Sequence, residues 1–593
     1  MWKWLHARSS VSLANWTCCM SAGRTTRYGR WPLWLGCAVA LAGCSTAHYR
    51  RSADHDVYKL IVAKSPLVTN MDSRFTIEQT NLLTLGDLPA TAPAAGFLGP
   101  AGEMERDARV LSLEKALDTA VKHSRVYQSS KEQLYLTALS LTLSIHQFAP
   151  LFSGSGQGNY GVQTEQAVDL VPDPANPGEY KTVLSDNLAE QQSVSGSGSV
   201  GVSWLIRDLG RISAAFTTDF LRYLSGDPRT VTSSQIGATF TRPLLRNAGY
   251  KADLENLTQS ERDLLYQLRD FTRFRKDFSV QIASAYYGAL GNRDAARNAF
   301  LNLQSSRRSA DRTRALAAEG RTTQSDLGRL EQQELSSESA WLNAVRVYQR
   351  ALDDFKLLLG IPVETRLVLD DRELQQLQIR HPDFKVDDAI QVALAARLDY
   401  QNLRDEQEDR ARKVGLAASW LLPQLDLAAS ASMASAEESH GVALPDPQRY
   451  RWSAGLRLDL PLERTLERNN YRAALIAQER AARALVQRRD EIELQIRDSW
   501  RILEQARRTY QISEIGVSLA ERRVEEQELL AELGRAKALD QVDAQNALLS
   551  SKDQRTQALV AHTIARLQFW RDLGILYIKD NGQWEELDHA QTR

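Results

Sequence analysis

Gly534-Arg535 is followed by Asp540 six residues after the glycine, and by Leu573-Gly574-Ile575 with its glycine forty residues on. Gly320-Arg321 is followed by Asp326 and by Leu359-Gly360-Ile361 at the same two offsets, 214 positions earlier. Upstream, Leu113-Glu114, Ala116, Ala120, Tyr127 and Pro150 meet Val386-Asp387, Ala389, Ala393, Tyr400 and Pro423, all 273 positions apart. Fixed internal spacing means one structural unit used twice. A chain of 593 residues has room for several domains. The duplication argues instead for one large domain of two halves, 106–365 and 366–577, with 578–593 as a C-terminal tail.

Each half is expected to hold very long helices. Residues 469–533 contain no Pro and few Gly. At about 1.5 Å per residue they span roughly 100 Å, a length suited to a coiled assembly and not to a globular core. Ile496, Leu503, Tyr510, Val517 and Val524 repeat every seven residues, and Ser499, Ala506, Ser513 and Ala520 repeat between them. The small stripe lets a neighbouring helix approach and the large stripe fills the gaps. Phe278, Ala285 and Ala299, with Ile282, Ala289, Ala296 and Leu303, carry a weaker version in the first half. Gly320 and Gly534 suit a left-handed helix end before a tight turn, so each half predicts a helical hairpin with a tip.

Between helices the period falls to two. A first helix is expected from near Leu111 to before Pro150, and its counterpart from about Phe384 to Pro423. After Pro423, residues 424–435 alternate, with Leu425, Leu427, Ala429, Ala431 and Met433 on one face. Residues 451–460 set Trp452, Ala454, Leu456, Leu458 and Leu460 against Arg451, Ser453, Gly455, Arg457 and Asp459. Strands of about ten residues with this alternation suit a transmembrane barrel, apolar toward lipid and polar toward water. A strand of a soluble sandwich alternates in the same way. Residues 152–162, 194–206 and 234–243 read similarly, and 211–222 can pair with a neighbour. The first half is 55 residues longer here (93 from Pro150 to Pro243, against 38 from Pro423 to Pro461). Residues 164–192 supply much of the excess. With Glu165, Asp169, Asp173, Glu179, Asp186 and Glu190 against Lys181, and three prolines, they read as an acidic, irregular surface loop.

The four cysteines are Cys18, Cys19, Cys37 and Cys44, so thiol or disulfide chemistry has no material in the body of the chain. Arg24, Arg27 and Arg30 precede an apolar run from Trp31 to Gly43, too short to span as a stable helix. Basic region, apolar core and Leu41-Ala42-Gly43-Cys44 make a secretory signal within residues 1–43. Its ending resembles a bacterial lipobox, which implies acylation of Cys44; a plain signal peptide with a chance cysteine is the other reading. Met20 would start a signal of more usual length. Residues 44–105 read as a linker, with Leu88 to Ala101 rich in Pro, Ala and Gly. A net charge of −1 gives no hint of a nucleic-acid partner.

Four stretches carry a resemblance to a known family. They are Leu111-Ser112-Leu113-Glu114-Lys115-Ala116-Leu117, Thr241-Arg242-Pro243-Leu244-Leu245-Arg246, Leu460-Pro461-Leu462-Glu463, and the tip run from Leu533 to Gln545. With the lipobox and the duplicated halves, the chain over roughly 105–577 resembles the outer membrane efflux proteins, the TolC-like channels. The resemblance implies a mainly helical fold with a membrane β-barrel, in which long antiparallel coiled-coil helices form an α-barrel tunnel. It implies a homotrimer whose strands close one barrel in the outer membrane, with four strands per chain as the usual number. The 55-residue excess would add a hairpin.

The same resemblance assigns candidate sites. Asp540 and Asp543, three apart and so on one helical face, match acidic residues of the periplasmic entrance and would make rings of three carboxylates. A solvated helix face explains them equally. Gly320, Arg321, Gly534 and Arg535 match hairpin tips that meet a periplasmic adaptor protein; the glycines alone could turn the chain and the arginines cap helix carbonyls. Export energy would come from an inner membrane pump, proton-driven or ATP-driven. The implied function is the outer membrane duct of a tripartite system for small molecules. A type I secretion duct for polypeptides and a non-conducting, lipid-anchored coiled-coil scaffold are the alternatives. The nine scattered His make no metal site, no cofactor motif appears, and no catalytic constellation suggests an enzyme.

Overall fold

The computed structural model describes residues 45–585 except 73, 79–85, 87, 91–94, 173–177, 179, 208, 226–229, 383–384, 437–443, 534 and 536. The chain divides into two units, 1–56 and 57–593. Of the first, the described residues belong to the opening of helix α1, Thr46–Lys64.

In the second unit each repeat opens with two helices, not one. α2 (Leu113–His123) and α3 (Arg125–His146) break at Ser124; α7 (Val386–Ala396) and α8 (Leu398–Ser419) break at Arg397. The expected single helices are corrected here, and the cause lies in the Leu-Gly-Ile motifs. Gly360 and Gly574 end the returning helices with φ +78° and +81°. A Cβ on Gly360 would stand 2.1 Å from the His123 carbonyl oxygen, and one on Gly574 3.1 Å from that of Ala396. The returning helix therefore docks against each break at a distance only glycine permits.

The long helices are present at full length. α4 (Lys251–Ala318) and α9 (Thr465–Glu532) are 68 residues each, about 100 Å. They return as α5 (Gln324–Leu359) and α10 (Ala538–Asp572). Ile496, Leu503, Ser513, Val517 and Ala520 are buried, as are Phe278, Ile282, Ala289, Ala296, Ala299 and Leu303. The heptad seams thus face inward within the chain. A second stripe along α9, Ile512, Ile515, Leu519 and Leu529, with Leu533 just past its end, is exposed.

Among the described residues, six strands make one sheet in the order β2 (Leu151–Pro172), β3 (Tyr180–Ile206), β4 (Gly210–Tyr223), β5 (Thr230–Pro243), β7 (Gln424–Ala434) and β8 (Tyr450–Asp459), antiparallel throughout. A short parallel pair, β1 (Arg109–Leu111) with β6 (Leu367–Leu369), ties the openings of the two repeats together. The six strands exceed the usual four by one hairpin, as the length excess implied. The acidic segment 164–192 is not an irregular loop: β2 and β3 continue their pairing through it to Pro172 and Tyr180.

The described residues between 45 and 105 include helices that pack on the rest of the second unit. Besides α1, a helical segment spans Gly96–Glu105, interrupted at Gly99, and Val57, Ile61 and Leu98 join the main core with Tyr127, Phe271, Phe278 and Phe355. The Trp341 indole donates to the Phe97 carbonyl at 2.8 Å. The C-terminal segment also folds back, where Asn70 exchanges two side-chain bonds with the Ile578 backbone, at 2.7 and 2.8 Å.

Candidate functional site: the sheet and the hairpin tips

The sheet has two faces of opposite chemistry. Phe152, Val202, Ala214, Ala238, Ala431 and Trp452 are register partners in one row across all six strands. The next row on that face is Gly154, Val200, Phe216, Ile236, Met433 and Tyr450. Between them, on the other face, runs Ser153, Gly201, Ala215, Gly237, Ser432 and Arg451. A further polar row holds Ser203, Ser213, Thr239, Ser430 and Ser453, with Ser430 and Ser453 hydroxyls 2.8 Å apart. The period of two puts these sets on opposite sides.

Among the described residues no layer covers the apolar face. Phe152 is 82%, Trp452 72% and Leu456 66% exposed, whereas a sandwich would bury such rows against a second sheet. Among the described residues the outer edges of β2 and β8 have no strand beside them. Beyond Gln192, whose carbonyl still accepts from Leu224 N–H at 2.7 Å, residues 163–172 and 180–191 pair with each other and with no third strand among the described residues, forming a two-stranded arm past the sheet. Ser225 fastens its root, accepting from Gln192 N–H at 2.6 Å and donating to the Glu190 carbonyl at 2.9 Å.

At the far end of the long helices the two tips share one backbone device. Gly320 (φ +73°) donates to the Ala317 carbonyl at 3.0 Å, and Arg321 N–H to that of Leu316 at 2.9 Å. This pair of bonds closes a helix over a left-handed residue. Arg535 N–H makes the equivalent bond to the Leu530 carbonyl at 2.8 Å; Gly534 lies outside the described residues. The Arg321 side chain is exposed and reaches Glu319 at 3.4 Å. A groove of about 500 Å³ separates the hairpins near the tips, with Arg308 and Arg312 on one wall and Glu528 and Glu532 on the other.

The acidic residues behave differently in the two tips. Asp326 is bound into its helix start: Thr323 Oγ1 accepts its N–H at 3.1 Å and donates to its carboxylate at 2.7 Å. At the matching position before Asp540 stands Lys537, which makes no side-chain cap. Asp540 and Asp543 are both exposed and form no ion pair among the described residues. The sequence missed this contrast, although Thr323-Gln324-Ser325-Asp326 was there to read as a cap. Cys44 lies outside the described residues, so its acylation stays a reading of the sequence. Among the described residues no group of three or more His, Cys, Asp or Glu could hold a metal ion, and no helix is long and apolar enough to cross a membrane.

No protein-family model matches the chain, and no curated protein sequence matches it significantly. Solved structures do. A membrane protein of Pseudomonas aeruginosa aligns at TM-score 0.57 and 16% identity, over 78% of this chain and 92% of that one. The CmeC outer membrane channel of Campylobacter jejuni aligns at 0.56 and 12%, over 88% and 97%. The outer membrane protein VceC of Vibrio cholerae aligns at 0.54 and 14%, over 78% and 96%. The chain therefore has the TolC-like outer membrane channel fold, long helices joined to an antiparallel membrane-type sheet.

Proposed function

We propose that the protein is the outer membrane channel of a tripartite export system, passing small molecules from a periplasmic adaptor and an inner membrane pump to the outside. The observation that carries this reading is the six-stranded sheet with an uncovered apolar face, a hydroxyl-rich opposite face and two unpaired edges. In water such a sheet is an aggregation hazard. In lipid, backbone groups at the edges must find partners, so the sheet must close. Three copies joined edge to edge, β8 to β2, would satisfy every edge, with Trp452 and Leu456 toward lipid and Ser213 and Ser430 toward a watery lumen. The exposed apolar stripe from Ile512 to Leu533 supports the same association along the helices. A lipid-anchored scaffold without a pore has no use for the two-faced sheet.

Lipid attachment at Cys44 would tether the trimer to the outer membrane. Asp540 and Asp543, without an ion pair among the described residues, would ring the periplasmic entrance and favour cations. Arg321 and Arg535, exposed on the two tips, would meet the adaptor; the guanidinium fork suits carboxylates and backbone carbonyls. Detergent-purified protein in a planar bilayer should give a stable, cation-selective conductance that a trivalent cation blocks from the periplasmic side. The Arg321→Glu, Arg535→Glu variant should conduct and assemble but fail to export. Absence of conductance from an acylated, inserted trimer, persisting in Asp540→Asn, Asp543→Asn protein, would reject the channel.

A further inference from the structure

Behind Gly574, where α10 docks on the α7–α8 break, charges crowd a half-open cavity of about 290 Å³. Arg273, Lys276, Arg397 and Arg571 line it against three carboxylates, Asp277, Asp399 and Asp572, and Arg488, itself paired with Glu491, reaches in to Asp399. The two deep carboxylates are already committed. Asp399 accepts from Arg397 at 2.8 Å, Arg488 at 2.6 Å and Arg273 at 2.9 Å. Asp572 holds Arg571 at 2.8 Å and the Ser499 hydroxyl at 2.6 Å. Lys276 is left over. It is 7% exposed, and its ammonium donates to the Gly574 carbonyl at 2.6 Å and pairs with no carboxylate among the described residues. Burial and then the neighbouring Arg275 push its pKa down to about 8, and the attraction of Asp277 offsets this only in part.

The fold does not demand these charges. The first repeat builds the same junction with Leu357 and Leu358 where Arg571 and Asp572 stand, and Phe274 where Arg488 stands, each 214 positions earlier. Ser124 occupies the break in place of Arg397, 273 positions earlier. A buried ammonium with no carboxylate of its own, beside guanidinium groups that share the carboxylates present, is the composition of an oxyanion site.

We infer that the cavity between Lys276 and Arg571 binds a small divalent oxyanion of the sulfate or phosphate class. Sulfate is the probe, because it does not titrate between pH 7 and pH 10 whereas Lys276 does. Calorimetric titration of the detergent-solubilised full chain with sodium sulfate, at ionic strength fixed with chloride, should show saturable binding at pH 7. Binding should weaken at least tenfold at pH 10 and vanish in Lys276→Met and in Arg571→Gln. Two variants guard against a folding defect in either one. No saturable binding to the wild type overturns the inference. So does undiminished binding by a folded Lys276→Met protein, which would leave only the general preference of folded proteins for sulfate.

Discussion

Tyr348 and His562 hold the same place in the two repeats, 214 positions apart, and so do Arg293 and Arg507. In the first repeat both are satisfied by one carboxylate. Tyr348 donates to Glu105 at 2.8 Å, and Arg293 grips the same carboxylate at 2.9 and 3.2 Å. In the second repeat the carboxylate is Glu504, which takes Arg507 at 2.7 Å and His381 at 3.3 Å and makes no bond to His562. His562 is wholly buried, and among the described residues neither of its ring nitrogens has a partner, nor does the buried Nε of Arg507. His381, its ring 6.0 Å from that of His562, comes in place of Glu105. The difference traces to the strap at 96–105, which crosses the first hairpin only. A duplicated frame does not duplicate its polar core; the copy without a strap stores an unsatisfied group.

The sharpest way to break that comparison is to remove the shared carboxylate. Glu105→Ala should cost about 3 kcal/mol, the low end for opening a buried pair because Asp371 still holds Arg293. Glu504→Ala, which removes the half-exposed carboxylate beside Arg507, should cost under about 1 kcal/mol. Denaturant midpoints of the two variants measure this. Equal losses would mean that the strap contributes packing and not charge compensation.

That strap also marks the limit of what the sequence discloses. The repeat, the strand pairs, the long helices and the tip glycine Gly320 are legible because local periodicity and chain punctuation encode them. Leu88 to Ala101 is rich in Pro, Ala and Gly and shows no periodicity, and its described part is fixed by distant partners such as Trp341. Ser124 and Arg397 break helices with no Pro or Gly to announce it, since the break answers to Gly360 and Gly574 in remote sequence. The arm at 164–192 reads as a loop because backbone pairing between two strands needs no buried side chain. Of the candidate site, the tip residues are legible, but the capture of Asp326 by Thr323 and the freedom of Asp540 show only when each copy's cap is drawn.

A smaller effect of opposite sign should follow from His562→Leu. It deletes two buried, unbonded nitrogens, which should stabilise the protein by about 1–2 kcal/mol at neutral pH. The same variant tests a pH dependence. Burial, with Arg566, His381 and Arg507 nearby, pushes His562 down to about 4 from its ordinary 6.5. The unfolded chain therefore takes up a proton first as pH falls, and stability drops between about pH 6.5 and pH 4. Thermal midpoints of the wild type at pH 7.5, 5.5 and 4.5 should fall more steeply than those of His562→Leu. Parallel slopes would assign the acid sensitivity to other groups.

The smallest stability changes belong to the tips, and there the two repeats should separate stability from selectivity. Asp326 spends its carboxylate on the Thr323 hydroxyl at the start of α5. Asp326→Asn should cost a few tenths of a kcal/mol at most, since the N-cap oxygen and the dipole interaction are partly kept. It should leave ion selectivity unchanged. Asp540→Asn should do the reverse, because Lys537 offers no hydroxyl and the carboxylate faces solvent. Reversal potentials in a salt gradient distinguish the two: cation preference should fall in Asp540→Asn and persist in Asp326→Asn. If both variants lose selectivity alike, then both hairpins line the entrance, and the Thr323 cap must open in the assembled channel.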